Sequence, residues 1–150
     1  MIKRIADDFS YEPVTFTSIG SNGQSIYHTN VMMCICTDFA MVGLEMIPDK
    51  SERQKVRARL GKTGKEIVEL SADQIANFAG NAIELHNQGG EKLLVLSSRA
   101  ARALTGDQRE RLSRYARLVR LELPTIELGG GSARCMITTI HLPEKLQSKD

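Results

Sequence analysis

The residue types best suited to chemistry cluster late in the chain, around Cys135. Three consecutive glycines, residues 129–131, precede Ser132, Ala133 and Arg134, and Cys135 follows directly. Glycine tolerates sharp bends and the close approach of another group, so this run makes room along the backbone. A cysteine is a strong nucleophile as the thiolate, which positive charge or a nearby proton acceptor favours, and Arg134 could supply such charge. Cys135 is therefore a candidate nucleophile, although a lone cysteine is more often small, buried and inert.

A histidine that could act with this thiol lies much earlier, at His28. Histidine paired with a thiol can serve as a general acid and base near neutral pH. His28, Asn81 and Cys135 are spaced by 53 (81 − 28) and 54 (135 − 81) residues. A fixed period indicates repeated supersecondary units that bring equivalent positions to one place. The repeat predicts that His28 and Cys135 face the same site, and the competing interpretation is coincidence among short β segments.

Four further residues are candidates for binding a substrate. Asn30 follows His28 by two positions, and on a strand both side chains would point to one face. Asn81 could hold a polar group of the substrate or serve only as a turn residue. Arg134 could bind a carboxylate or lie in solvent, and Ser132 completes the set beside it.

The other cysteines and a group of arginines favour structural interpretations. Cys34 and Cys36 would share one strand face within the core, and no second pair has metal-ligand spacing. Residues 99–120 carry seven Arg against Asp107 and Glu110, which favours a solvated helix face over a nucleic-acid surface because aromatic residues for stacking are scarce. We therefore expect no metal, no cofactor and no nucleic-acid partner.

The hydrophobic pattern predicts two units of strand, strand, helix and strand, followed by a fragment of a third. Ser51 with Gln54 predicts a capping box that opens the helix of the first unit. Residues 37–38 suit a two-residue hairpin turn between its first two strands. A short strand is predicted at 14–17, before this unit. Within the unit, the predicted elements are strands at 26–36, 39–47 and 66–70 and a helix from Ser51 to Gly61 or Gly64.

The second unit is predicted in the same way. Ser71 with Gln74 and Thr105 with Gln108 are two more capping-box patterns. The predicted elements are helices from Ser71 to about Ala79 and from Thr105 to Val119, strands at 81–86, 92–97 and 120–123, and a third unit starting with strands at 125–128 and 135–142.

Length and composition limit the class of protein. The chain has 150 residues, of which 41% are hydrophobic and 25% charged, as expected for one globular domain. Its net charge of +2 calls for neither a nucleic acid nor a membrane partner. No apolar run approaches the roughly 18–20 residues that span a bilayer. Three cysteines, an odd number, without an apolar export segment at the N-terminus favour reduced thiols and a cytoplasmic location.

Three segments together carry a family resemblance. They are residues 26–33 (IYHTNVMM), 77–81 (NFAGN) and 125–136 (TIELGGGSARCM). Together they resemble the arginine deiminase-related, amidinotransferase-like proteins of the guanidine-modifying superfamily, some of which are described as citrulline-utilisation hydrolases. The likeness extends from about Tyr11 to Pro143. It implies a partial, pentein-type α/β-propeller of ββαβ repeats, about two and a half of five blades, in residues 1–143, with a polar tail at 144–150.

The resemblance also implies an activity. Cys135 matches the family nucleophile and His28 its catalytic histidine. The thiolate would attack the guanidinium or ureido carbon of an arginine- or citrulline-like small molecule, and the covalent adduct would pass to water or to an acceptor amine. Asn30, Asn81, Arg134 and Ser132 are expected to bind that substrate.

Two departures from the family pattern keep other functions open. Asn30 stands where arginine deiminases usually carry an acidic residue, and the chain matches only the C-terminal half of the family's length. We therefore expect a need for a complementary N-terminal half or for a homodimer that closes the ring. The alternative is a truncated, inactive homologue that acts as a binding or interaction module, and a papain-like acyl transferase would share the Cys–His pair.

Overall fold

Each half of the chain contains a three-stranded sheet with the same strand order and directions. The structure, a computed structural model, describes residues 2–139. Its elements are α1 (Ile2–Asp8), β1 (Met33–Ile35), β2 (Phe39–Val42), α2 (Lys50–Lys62), β3 (Glu66–Glu69), α3 (Ala72–Ala76), β4 (Ile83–His86), β5 (Lys92–Ser97), α4 (Ser98–Ala103), α5 (Gly106–Ser113), β6 (Arg117–Leu121) and α6 (Pro124–Leu128). Short 3-10 helices are Thr29–Val31, Leu44–Met46 and Ala133–Met136. The end of the strand predicted at 135–142 and the predicted polar tail at 144–150 lie outside the described residues.

The predicted order of strand, strand, helix and strand is confirmed twice. β1 pairs antiparallel with β2, and β2 pairs parallel with β3 across α2. β4, β5 and β6 repeat this pairing, with α4 and α5 as the crossover. Cys36 N donates to Phe39 O at 2.9 Å, so residues 37–38 form the predicted hairpin turn. The mixed α/β class follows from these contacts, whereas the propeller and its number of blades stay a prediction.

Helix α2 begins earlier than the sequence predicted. Its N-cap is Asp49, whose carboxylate accepts a hydrogen bond from Glu52 N at 2.8 Å, so the capping box at Ser51 and Gln54 is wrong. Asp caps a helix as well as Ser does, and its charge also interacts favourably with the N-terminal end of the helix dipole. The earlier of two competing capping residues therefore sets this boundary.

The chain before β1 contains less strand than predicted. Residues 14–17 lie outside the strands, and of 26–36 only Met33–Ile35 pairs with β2. β-rich composition specifies a strand only where a neighbouring strand offers pairing and packing. The polar N-terminus, for which no element was predicted, instead forms α1 and buries Ala6.

The helix predicted from Thr105 to Val119 is too long. It ends at Ser113, and Val119 belongs to β6, which lies parallel to β5. The strand predicted at 120–123 therefore begins and ends earlier, because pairing with β5 decides its bounds. The sequence also missed α4, which starts directly after β5 with Ser97 as its N-cap.

The segments that precede and contain Cys135 are helical, whereas the sequence predicted strands there. Pro124 is the first residue of α6, a position at which its fixed φ favours a helix start, so the strand predicted at 125–128 is wrong. Cys135 itself lies in the 3-10 helix Ala133–Met136. The glycine run thus connects two short helical turns.

The two confirmed capping boxes also join the units. Gln74 and Gln108 cap their own helices with Ser71 and Thr105, and each amide then reaches across the boundary. Gln74 Nε2 donates to Gln108 Oε1 at 2.6 Å, and Gln108 Nε2 donates to Glu69 O at 2.7 Å. One apolar cluster spans both units; its largest fully buried members include Met32, Phe39, Met41, Leu94, Leu96 and Leu112. No helix in the described part of the chain has the length and apolarity to cross a membrane.

Candidate active site

Cys135 lies at the meeting point of three turns. Its backbone N donates to Ser132 O at 3.0 Å within the short helix, and its side chain is exposed. Gly130 has a φ of +85°, which an L side chain rarely adopts. A Cβ on Gly131 would lie 3.3 Å from Cys135 Cβ and 3.7 Å from its Sγ. The glycines therefore permit the bend and leave room beside the sulfur.

Asn81 bridges the turn that carries Cys135 and the turn that carries His28. Its Nδ2 donates to Cys135 Sγ at 3.2 Å and to Asn30 O at 2.9 Å. Its Oδ1 accepts from Arg134 N at 3.1 Å. The residue is only 2% exposed. The predicted period of about 54 residues thus brings Asn81 and Cys135 into contact.

A strained turn positions Asn81. Phe78 has a φ of +63°, which is unusual for a bulky residue, and Asn81 N donates back to Phe78 O at 2.9 Å. The Arg99 guanidinium lies 5.3 Å from the centre of the Phe78 ring. A Cβ on Gly80 would come within 2.6 Å of Val31 O, so only glycine lets this turn approach the turn after His28. The sequence signal was the Gly80-Asn81 pair, but nothing in it indicated the strain.

His28 and Asn30 lie on a turn and not on the predicted strand. His28 is the N-cap of the 3-10 helix Thr29–Val31, and its exposed ring makes an edge contact with Tyr27 at 4.7 Å between centroids. Asn30 Nδ2 lies 3.9 Å from Cys135 Sγ. Asn30 Oδ1 is buried and has no hydrogen-bond partner within residues 2–139. An orphaned buried acceptor of this kind calls for a ligand or a bound water.

His28, Asn81 and Cys135 line one cleft of about 420 Å³. Its other walls come from the loop 20–27, from α3 and from single residues elsewhere, which are Val31, Met46, Phe78 and Gly130. None of the described residues that line it is an Asp or a Glu. The cleft therefore combines an exposed thiol, an imidazole and neutral amides, and it can accept a small polar molecule.

Arg134 and Ser132 do not line this cleft. Arg134 Nη1 donates to Ile137 O at 3.0 Å, and its side chain borders two neighbouring pockets that also contain Asn30. Ser132 is fully buried, and its hydroxyl donates to Glu127 Oε1 at 3.0 Å. The sequence missed Glu127, a buried carboxylate on α6 that supports the turn before Cys135.

The other two cysteines belong to the core, as the sequence predicted. The sulfur atoms of Cys34 and Cys36 lie 3.4 Å apart, and both residues are 5% exposed. The hydrogen bond with Cys34, followed by burial, raises the pKa of the Cys36 thiol, which keeps it protonated and unreactive. Within the described residues no group of three or more His, Cys, Asp or Glu side chains could hold a metal. Cys135 is thus the exposed thiol of the three.

Two comparisons relate the chain to known proteins. The family described as "N,N dimethylarginine dimethylhydrolase, eukaryotic" matches residues 1–142. No curated protein sequence matches the chain. Among solved structures, it is similar to the N-terminal domain of ArgZ, an arginine dihydrolase from the ornithine-ammonia cycle in cyanobacteria, determined as a cysteine-to-serine mutant bound to substrate. The TM-score is 0.67 at 16% identity, and the match covers 88% of this chain but 44% of that chain.

Proposed function

Because the chain belongs to the N,N-dimethylarginine dimethylhydrolase family, we propose that it is a Cys/His-dependent hydrolase or amidinotransferase of arginine-like small molecules. The bond it breaks is a carbon–nitrogen bond at a guanidinium or ureido carbon. The observation that carries this proposal is the shared cleft of Cys135 and His28, with the Asn81 amide on the sulfur.

The first step is nucleophilic attack by Cys135. The guanidinium or ureido carbon is a weak electrophile because resonance stabilises it, so the reaction needs a strong nucleophile held in place. The thiolate forms a carbon–sulfur bond while the π electrons move onto a nitrogen or oxygen of the substrate. The product of this step is a tetrahedral adduct.

The second step is departure of an amine with the help of His28. The carbon–nitrogen bond breaks, its electron pair stays on nitrogen, and His28 gives that nitrogen a proton. A thiouronium or thiocarbamate remains on Cys135. Attack by water, or by an acceptor amine, then breaks the carbon–sulfur bond and regenerates the thiolate. The histidine takes the proton of the attacking group, so the cycle closes without a cofactor.

Asn30 does not line the cleft of Cys135, but it lines the two neighbouring pockets that Arg134 borders and would hold the substrate from that side. Its buried Oδ1 lacks a partner within the described chain, and an amide oxygen accepts N–H groups from either a guanidinium or a urea. Arg134 would bind the carboxylate of an amino-acid substrate from the neighbouring pocket. The sequence also predicted Ser132 and Asn81 as substrate contacts. Their buried, hydrogen-bonded side chains support an indirect part for both, in which they shape the turns around the substrate.

We further propose that a second polypeptide segment, or a second copy of this chain, completes the site. The match covers 44% of the ArgZ chain, and the described cleft lining carries no carboxylate to pair with a guanidinium. A complementary half-length segment or a second copy of this chain could supply both the missing sheets and the missing charge. Three free cysteines suit a reducing compartment such as the cytoplasm.

Product release tests the function. The chain, at low and high concentration, is incubated with arginine, citrulline and N,N-dimethylarginine, and ammonia, dimethylamine and ornithine are measured. Turnover that disappears in Cys135→Ser supports the proposal. Hydrolysis of peptides or esters without these products would favour an acyl transferase. Binding of the same compounds without turnover at any concentration would exclude a homodimer as the complete enzyme. It would leave the complementary segment or the non-catalytic module.

A further inference from the structure

We propose that Asn81 is a positioning residue that stabilises the Cys135 sulfur as a thiolate and aims it into the cleft. This inference rests on the proposed function, because it takes Cys135 as the nucleophile. It differs from the sequence-based prediction, in which Asn81 would contact the substrate.

The hydrogen bonds of Asn81 carry the inference. The two N–H groups of the amide are both used, one on Cys135 Sγ at 3.2 Å and one on Asn30 O at 2.9 Å. Oδ1 accepts from Arg134 N at 3.1 Å. With the residue 98% removed from solvent, no N–H is left for a substrate. The amide therefore serves the protein's own groups, and the sulfur is one of them.

A donor at this place favours the charged form of the sulfur. Hydrogen bonds to an ionised acceptor are shorter and stronger than those to a neutral one, so an N–H aimed at sulfur stabilises the thiolate over the thiol. The thiolate is the nucleophilic form. Asn30 Nδ2, at 3.9 Å from the same sulfur, is a second and weaker donor. No described carboxylate lines the cleft to oppose this charge.

The backbone around Asn81 is shaped to hold this amide. Phe78 keeps a φ of +63°, and Gly80 brings its backbone against Val31 and Met32 at distances that a Cβ would not allow. Strain of this kind persists only where the surroundings hold it in place, and it clusters at functional sites. A turn needed only to start β4 would require neither feature.

Alkylation kinetics test the inference without any need for turnover. Each protein is treated with iodoacetamide near neutral pH, and labelling of the Cys135 peptide is followed by mass spectrometry, with Cys34 and Cys36 as internal references. Asn81→Asp keeps the shape and the acceptor for Arg134 N but removes the donor, and Asn81→Ala removes the whole amide. The matched control is Asn22→Asp, which adds the same charge to the same cleft without a contact to sulfur.

We expect labelling of Cys135 to slow by about tenfold or more in Asn81→Ala and further in Asn81→Asp, because a hydrogen bond to a charged group is lost. Asn22→Asp should stay within about twofold of the unchanged protein. A purely structural role predicts labelling that is unchanged or faster, because the sulfur is already exposed and a loosened turn would not shield it.

The inference is overturned if Cys135 is labelled as fast or faster in both Asn81 variants than in the original protein. It is also overturned if Cys135 of the folded original protein is labelled no faster than Cys135 of the same protein unfolded in urea. If circular dichroism shows that Asn81→Ala does not fold, the labelling rate of Cys135 in the isosteric Asn81→Asp variant alone tests the inference. Failure of the proposed function shows separately, as an absence of product from every substrate while the labelling order stands.

Discussion

At the scale of single residues, the candidate site depends on which side chains are free and which are engaged. Cys135 and His28 are exposed on one cleft, whereas Asn81 and Ser132 are buried and fully used within the protein. The sequence period grouped His28, Asn81 and Cys135 and predicted that His28 and Cys135 face one site, because equivalent positions in repeated units converge. It could not predict the partners of each amide, since these depend on turn conformations that residue types alone do not specify.

Replacement of His28 should separate catalysis from folding. We expect His28→Gln to lower turnover by roughly 10²–10⁴-fold, the usual contribution of a general acid or base. Thermal stability should be unchanged because the ring is exposed and has no described hydrogen bond. His86→Gln, an exposed histidine at the end of β4, is the control and should keep full turnover. Equal losses in the two variants would remove His28 from the mechanism.

At the scale of elements, the helix starts were more predictable than the turns. Two capping boxes were predicted correctly because apolar residues precede Ser71 and Thr105, so no other capping residue competes with them. Ser51 has a Gln at the same spacing, but Asp49 precedes it and caps the helix instead. The turns that carry His28 and Cys135 were predicted as strands, since their apolar residues match a β pattern without having a strand to pair with. The turns that carry the candidate site are therefore the least predictable part of this fold.

Gly80 should be the least replaceable glycine near the site. A Cβ there would come within 2.6 Å of Val31 O and 2.8 Å of Met32 C, and backbone atoms cannot move aside easily. We expect Gly80→Ala to lower the free energy of unfolding by about 1–3 kcal/mol and to slow labelling of Cys135. Gly61→Ala on α2 has open space and should raise stability by roughly 0.5–1 kcal/mol. Similar urea midpoints for the two variants would contradict the close-approach argument.

The paired glutamines should contribute to the contact between the two units. Gln108→Ala leaves Glu69 O and the N–H of Thr105, which are partly buried, without their donor and acceptor. It also removes the buried hydrogen bond from Gln74 to the Gln108 amide. We expect a loss of about 1–3 kcal/mol, measured by urea unfolding. Gln88→Ala, in the exposed turn between β4 and β5, is the control and should change stability by less than about 0.5 kcal/mol. A loss no larger than that of the control would mean that the apolar core alone joins the units.

At the scale of the whole molecule, two ββαβ units share one core, and a third segment brings Cys135 to their junction. The order of elements was predictable because it follows from hydrophobic periodicity and short turns. Closure of such units into a ring was not predictable in this way, because it depends on contacts between units and not on the hydrophobic pattern within one unit.

A partly buried network between the units should make stability depend on pH. Hydrogen bonds from Tyr115 and then Arg111 lower the pKa of Glu66 below its ordinary value of 4.5. The folded state therefore favours the carboxylate, and this stabilisation is present above about pH 4.5 and is lost as the pH falls through the lowered folded value. We expect Glu66→Gln to reduce the fall in urea midpoint on acidification. Glu110→Gln, which removes an exposed pair with Arg114, should leave the profile unchanged. A profile equally steep in all three proteins would assign the acid sensitivity to other groups.

The central claim, that Cys135 attacks the guanidinium or ureido carbon, is tested most directly by trapping the adduct. The protein is mixed with arginine, citrulline or N,N-dimethylarginine, and the reaction is quenched in acid within the first turnovers. The protein is then digested, and the masses of its peptides are measured by mass spectrometry. The account predicts that the Cys135 peptide gains the mass of the substrate less the amine that leaves. This is the substrate less ammonia or dimethylamine, or a bare amidino or carbamoyl group where ornithine leaves. Cys34 and Cys36 should gain nothing, and Cys135→Ser should show no adduct. Product formation with no added mass on Cys135, or turnover retained in Cys135→Ser, would contradict it.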